Sequence, residues 1–205
     1  MVKNPYPGKF VVFEGLDGSG QTTQAGLLKE YLEQQRFKVL ITKEPTLNSL
    51  AGKKIQRILG EKDNVSPAEL QKLFVEDRKE HLENEILPAL KRGEIVICDR
   101  YFFSTFAFGV ASGLDLEWLI ELNKEFLLPD LTFILKAKPE ICLQRIAKRG
   151  IAKTLFEKKE KMEKVWQVYE ILLQRFENLF LIDAEQPIEQ VFEQVKKIAA
   201  SQKLF

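Results

Sequence analysis

Apolar and polar positions along the chain follow two alternating periods. "KFVVFEG" is a short, continuously apolar run ending at Gly15, the pattern of a strand buried on both faces of a parallel sheet. "TTQAGLLKEYLEQQ" then takes the helical period, with Ala25, Leu28 and Leu32 on one face and Glu, Lys and Gln opposite. The exchange repeats. "KVLIT" predicts a second strand, and "SLAGKKIQRILG" a short helix closed by Gly60. "SPAELQKLFVEDRKEHLENEILPALKRG" predicts a longer helix, with Ser66 as N-cap, Pro67 first, Glu69 third, an end at Gly93 and a candidate kink at Pro88. "EIVICD" is a third strand, and "DLEWLIELNKEFL" a helix capped by Asp115. "LTFILKA" and "LFLID" are the fourth and fifth strands. Between them lie the helices "KPEICLQRIAKRG" and "LFEKKEKMEKVWQVYEILLQRF", and "PIEQVFEQVKKIAASQ" closes the chain.

Strand–helix alternation of this kind predicts an α/β fold with a five-stranded, mainly parallel sheet covered on both faces. Ligands in such sheets bind beyond the carboxyl ends of the strands. Three suggestive stretches fall there: "EGLDGSGQTT" after the first strand, "KEPT" after the second and "DRY" after the third. No repeat, low-complexity tract or Gly/Ser linker divides the 205 residues, so one domain spanning 1–205 is expected.

Composition narrows the partners. A formal net charge of +1 gives no field for a nucleic acid, and no run is long enough to span a membrane. The N-terminal apolar run is too short for a secretion signal, so a cytoplasmic location is expected. Cys98 and Cys142 are too few for a disulfide framework and read as buried small hydrophobes. The lone His81 forms no metal cluster by itself and is expected on a helix face.

The first strand-to-helix turn carries the chemistry. Gly15, Gly18 and Gly20 permit the positive φ and close approach of a loop whose backbone N–H groups point at an anion. The following helix N-terminus adds a favourable partial charge. Residues Gly15, Leu16, Asp17, Gly18, Ser19, Gly20, Gln21, Thr22 and Thr23 are therefore the candidate phosphate cradle for ATP. Thr22 stands where a hydroxyl ligates Mg²⁺, and Thr23 is available as a cap. The loop pattern G-x-x-x-x-G-K-[ST] fails at one place, because Gln21 stands where Lys belongs. Its amide can still donate a neutral hydrogen bond, roughly half as strong as a charge-assisted one. Nucleotide binding is expected to survive this change better than turnover.

With these pieces in order, the chain resembles thymidylate kinase, a nucleoside-monophosphate kinase of the P-loop class. The resemblance rests on "FVVFEGLDGSG", "TKEPT", "LFVEDRKEH", "CDRYFFSTFAFG", "LPDLTFIL" and "FEKKEKMEKVWQVY". It implies a three-layer α/β/α P-loop fold with a mobile lid, ATP and thymidine monophosphate as substrates, Mg²⁺ as cofactor, and a homodimer. Asp99 would hold Mg²⁺ directly or through water. Arg100 would grip the acceptor phosphate, and Asp17 would sit near the acceptor sugar and phosphate. Phe74 would stack on thymine, and Arg78, one helical turn on, would reach a base carbonyl. Ser104 and Thr105 stand where the family contacts the base, Phe108 where a Tyr packs beneath the deoxyribose, and Lys43 where an Arg contacts the substrate.

The lid would run roughly over 145–157. Family forms without Arg in the loop carry catalytic Arg in the lid, and Gly18 takes the loop position here. Arg149, then Lys153, would supply the charge, with Arg145 and Lys148 nearby. Four departures touch phosphate handling: Gln21 for Lys, Lys43 for Arg, Thr154-Leu155 for Asp-Arg, and Trp166 for Arg. Two other readings stay open at this stage, a nucleotide-binding pseudokinase and a P-loop kinase for another nucleoside or nucleotide. "FFSTFAFG" and "LQKLF" are either a dimer surface or core, and Arg78 is either a substrate group or, with Asp77, half of a weak surface pair.

Overall fold

The computed structural model describes residues 1–60, 63–148 and 155–204. Strands β1 (Lys9–Gly15), β2 (Val39–Lys43), β3 (Ile95–Asp99), β4 (Leu131–Lys136) and β5 (Leu179–Asp183) form one sheet in the order β2-β3-β1-β4-β5, all parallel. Successive strand residues point to opposite faces. Phe10 to Phe13, Val96 to Cys98 and Phe133 to Leu135 are all fully buried, so both faces of the central strands are covered.

The covering helices are α1 (Gln21–Gln34), α2 (Leu50–Leu59), α3 (Pro67–His81), α4 (Leu87–Lys91), α5 (Phe102–Ala111), α6 (Leu116–Leu122), α7 (Pro139–Ala147), α8 (Leu155–Arg175) and α9 (Ile188–Ser201). Helix α1 packs with α9, and α5 with α8. Ala25, Leu28 and Leu32 form the buried stripe of α1, as its period predicts. Phe102 and Phe103 lie with ring centroids 4.6 Å apart, and Phe103 lies 5.1 Å from Phe176. Phe102, Phe103 and Phe106 are fully buried, so "FFSTFAFG" is largely core. The reason is that α5 is held between β1, α6 and α8. Cys98 and Cys142 are buried free thiols, as expected.

Helix α3 starts where its sequence predicts. Ser66 accepts from the Glu69 N–H at 3.2 Å, and the Glu69 carboxylate accepts from the Ser66 N–H at 2.9 Å. The single long helix expected from Pro67 to Gly93 is instead interrupted by a π-helical turn over Leu82–Ile86 before α4. Pro88 has no N–H, and its ring crowds the carbonyl four residues back. The widened turn directly before it absorbs that misfit, and α4 ends before Gly93 at φ 78°. Helix α6 stops at Leu122 rather than running on through "NKEFL".

Register positions the site. Lys43 on β2 lies beside Asp99 on β3, and Asp99 beside Phe13 on β1. The carboxyl ends of three strands therefore deliver Glu44 after β2, Arg100 after β3 and the last β1 residues, Glu14 and Gly15, to one edge of the sheet.

Candidate active site

The turn after β1 is shaped by clearance. Gly15 has φ 148°, and a Cβ there would lie 2.8 Å from the Leu135 carbonyl oxygen. Gly18 has φ 85°, and a Cβ there would lie 2.6 Å from the Cys142 carbonyl oxygen on α7. No side chain fits at position 18, so the loop cannot carry an arginine there. Gly20 caps α1 without a side-chain hydrogen bond. The expectation that Thr23 caps is thereby corrected: Thr23 lies exposed within the first turn, and no side chain occupies that cap. A bare helix N-terminus is suited to an external anion.

Gln21 does not extend toward that anion. It is buried, and its Nε2 donates to the Gly15 carbonyl at 2.9 Å. The amide closes the loop from within, which corrects the expectation of a donor facing phosphate. Arg145 on α7 braces the loop from behind, donating to the carbonyls of Ala184 at 2.9 Å and Ser19 at 3.4 Å.

At the β3 end, one carboxylate oxygen gathers two groups. Asp99 Oδ2 accepts from Thr22 Oγ1 at 2.5 Å and from Lys43 Nζ at 2.7 Å. Arg100 follows with φ 73°, a left-handed conformation costly for a residue with a side chain. Its N–H is fixed to the Phe13 carbonyl at 2.9 Å. Its guanidinium donates to the Gly15 carbonyl at 3.0 Å, Ser104 Oγ at 2.9 Å and Asp17 Oδ1 at 2.7 Å, and lies 5.4 Å over the Phe108 ring.

Beneath Arg100 sits an acid to which the sequence reading gave no role. Glu14 is fully buried and accepts from the Tyr101 N–H at 2.9 Å, the Ser104 N–H at 3.0 Å and the Tyr169 hydroxyl at 3.1 Å, with the Ser104 hydroxyl closer still. Burial raises its pKa to about 7, against the lowering effects of Arg100 and of the Ser104 and Tyr101 hydrogen bonds. Its one signal in the sequence is an acid closing an otherwise apolar strand.

Arg78 and Asp77 are both buried, so the surface-pair reading does not hold. They serve different partners. Arg78 bonds Glu44 through Nε at 2.9 Å and Nη2 at 2.7 Å, Thr105 through Nη2 at 3.0 Å, and Asn123 through Nη1 at 2.6 Å. Asp77 accepts from the Thr46 N–H at 2.8 Å, and from the Thr46 and Ser49 hydroxyls at 2.5 Å each. The His81 imidazole bridges Glu44 at 3.2 Å and Thr42 at 2.7 Å. The roles of Glu44, Asn123 and Tyr169 were missed because each acts across a long sequence separation.

These walls enclose a pocket of about 290 Å³. Asp17, Lys43, Phe74, Arg78, Arg100, Ser104, Thr105 and Phe108, all named from sequence, line it together. Phe74 is partly buried and stands outside the hydrophobic core. Trp166 is turned elsewhere, donating to Glu170 at 2.7 Å. Arg149, Lys153 and Thr154, with the rest of positions 149–154 of the expected lid, lie outside the described residues.

Comparison with known proteins agrees with this geometry. The sequence model of one family, described as thymidylate kinase, matches residues 13–195. The chain is similar to a probable thymidylate kinase of Pyrococcus horikoshii, 42% identical over 189 residues that cover 90% of this chain and 92% of that protein. A probable thymidylate kinase of Archaeoglobus fulgidus is 38% identical over 192 residues, covering 93% and 94%. A thymidylate kinase of Desulfotalea psychrophila is 38% identical over 186 residues, covering 90% and 91%.

Proposed function

This chain belongs to the thymidylate kinase family, and from that premise we propose how its own residues carry the reaction. The chain is an enzyme, a dTMP kinase, which transfers the γ-phosphoryl of ATP to thymidine 5′-monophosphate and forms the diphosphate and ADP. The observation that carries the assignment of roles is the placement of Arg100. Its fork spans from the phosphate loop at Gly15 to Asp17 at the mouth of the pocket. A cation there stands between donor and acceptor phosphates.

Phosphoryl transfer needs positioning and positive charge more than covalent chemistry. The loop from Gly15 to Thr23 and the uncapped start of α1 hold the ATP phosphates through backbone N–H groups. Leu16 and Ser19 shape that backbone, and Arg145 holds it in place. Arg100 releases Asp17 and takes the acceptor phosphate, with Lys43 beside it. Phe74 stacks on the base, Arg78 donates its remaining Nη1 N–H to a base carbonyl, and Phe108 packs under the sugar. Ser104 and Thr105 set the back wall through Glu14 and Arg78. The Thr22 hydroxyl and the Asp99 carboxylate, hydrogen-bonded to each other at 2.5 Å, are hard oxygens of the kind that would hold Mg²⁺, an ion that takes few protein ligands alongside nucleotide phosphates and would supply charge neutralisation. With Gln21 neutral and committed to Gly15, the cationic groups lining the pocket among the described residues are Arg100, Lys43, Arg78 and Lys161, and this reading assigns further charge to Arg149 of the lid. Turnover reduced relative to a Lys-bearing loop belongs to this reading.

Coupled ADP release with ATP and dTMP tests the assignment, with dUMP and other monophosphates run alongside. The expected result is turnover with preference for dTMP. Binding of both nucleotides with no turnover, even at high enzyme concentration, would favour the pseudokinase reading. A cytoplasmic location and a homodimer belong to the same proposal. Among the described residues no helix is long and apolar enough to cross a membrane. Leu47 and Leu50, 70% and 85% exposed beside α2, offer an apolar contact for a second copy. Light scattering on the purified chain checks the dimer.

A further inference from the structure

Two polar groups on the pocket wall are left without partners. Gln71 is 3% exposed and its Oε1 has no hydrogen bond, and Tyr101 is 1% exposed with an unpartnered hydroxyl. Both residues line the same 290 Å³ pocket. A buried polar atom without a partner is costly, and its place on a pocket wall calls for a ligand that completes it. Gln71, Phe74 and Arg78 lie at i, i+3 and i+7 on α3, so one helix face presents the amide, the ring and the guanidinium together.

The two hydroxyls nearest the base wall, those of Ser104 and Thr105, are already engaged. The Ser104 hydroxyl donates to Glu14 and accepts from Arg100. Thr105 Oγ1 accepts from Arg78. Three Arg78 N–H groups donate, to Glu44, Asn123 and Thr105, Nη2 also pairs with Glu44, and arginine offers no acceptor in any case. The imide edge of a pyrimidine presents one N–H donor flanked by carbonyls. Gln71 Oε1 is the uncommitted acceptor on the stacking face, and its terminal amide turns on a soft torsion. We propose that Gln71 reads the N3–H of the acceptor base, with Oε1 accepting that proton and Nε2 donating to an adjacent base carbonyl. This rests on the pocket being the thymidylate site. It makes Gln71 a specificity-determining residue beside Phe74 and Arg78.

The test compares wild type with Gln71→Leu, which keeps volume and removes both hydrogen-bonding atoms. The dissociation constant for dTMP is measured by calorimetry without ATP, kcat/KM for dTMP and for N3-methyl-dTMP is measured with ATP, and Tm is measured without ligand. The expected result is a roughly ten-fold weaker dTMP affinity, with ligand-free Tm unchanged or higher because an unsatisfied group is gone. The preference for dTMP over its N3-methyl analogue contracts in the variant, whereas a purely steric penalty from the methyl group would persist. Affinity and preference both within two-fold of wild type overturn the proposal. A lower ligand-free Tm with unchanged affinity also overturns it, by assigning Gln71 to packing. If wild type fails to bind dTMP, it is the thymidylate reading of the pocket that fails.

Discussion

Glu14 shows how one buried residue ties pH to the site. Burial raises its pKa to about 7 from an ordinary 4.5, so the native state favours the protonated form. The stability from this group is complete below about pH 4.5, declines above it, and is lost once pH passes about 7. Thermal melts from pH 4.5 to 8 should therefore lose a component that Glu14→Gln, locked neutral, does not lose. Parallel curves for the two proteins would contradict the shift. Arg100 is the second residue whose surroundings predict a measurement. Its three side-chain contacts use the guanidinium fork, which a lysine ammonium cannot reproduce. Arg100→Lys should lower kcat/KM for dTMP by about a hundred-fold while the protein stays folded by circular dichroism. A change below three-fold would remove Arg100 from the reacting centre.

Among the elements, α3 brings Leu70, Gln71, Phe74 and Arg78 to the acceptor pocket, and its start is held by the Ser66–Glu69 capping box. Ser66→Ala should cost about 1 kcal/mol, read as a shift of the urea midpoint at unchanged slope. No shift would mean that packing, not the cap, fixes this terminus. This cap was legible because it is local: Ser66, Pro67 and Glu69 sit within one turn. The strands were legible for the same kind of reason, since "FVVF", "IVIC" and "TFIL" are apolar on both faces. The π turn was not, because a pattern of apolar positions does not say how Pro88 will be accommodated. Nor were the partners of Arg78, since Glu44 and Asn123 lie 34 and 45 residues away. The direction of Gln21 was hidden too. Its neutrality is written in the sequence, but its hydrogen bond to Gly15 depends on how the loop folds back.

At the scale of the whole molecule, the sheet order puts β1 between β3 and β4, so the phosphate loop is shared by both halves. The acceptor pocket stands on the β2–β3 side, and α7, which follows β4, presses on the loop from the other. Gly18 is the contact between them, with no room for a Cβ against the Cys142 carbonyl. Gly18→Ala should raise the ATP dissociation constant more than ten-fold and destabilise the fold by about 1–3 kcal/mol. Fluorescent ATP-analogue titration and thermal melts check this, and unchanged values in both would contradict the contact.

That contact also bears on descent. The two ways the family places its arginine, in the loop or in the lid, look like interchangeable solutions when only charge is counted. In this backbone they are not interchangeable, because a side chain at 18 must first lift α7 away. A lineage moving from one arrangement to the other cannot do so through position 18 alone. It needs a companion change along α7 near Cys142 and Ile146, so substitutions at those sites should travel together among relatives, and a single graft of arginine into this loop should damage the protein before it helps.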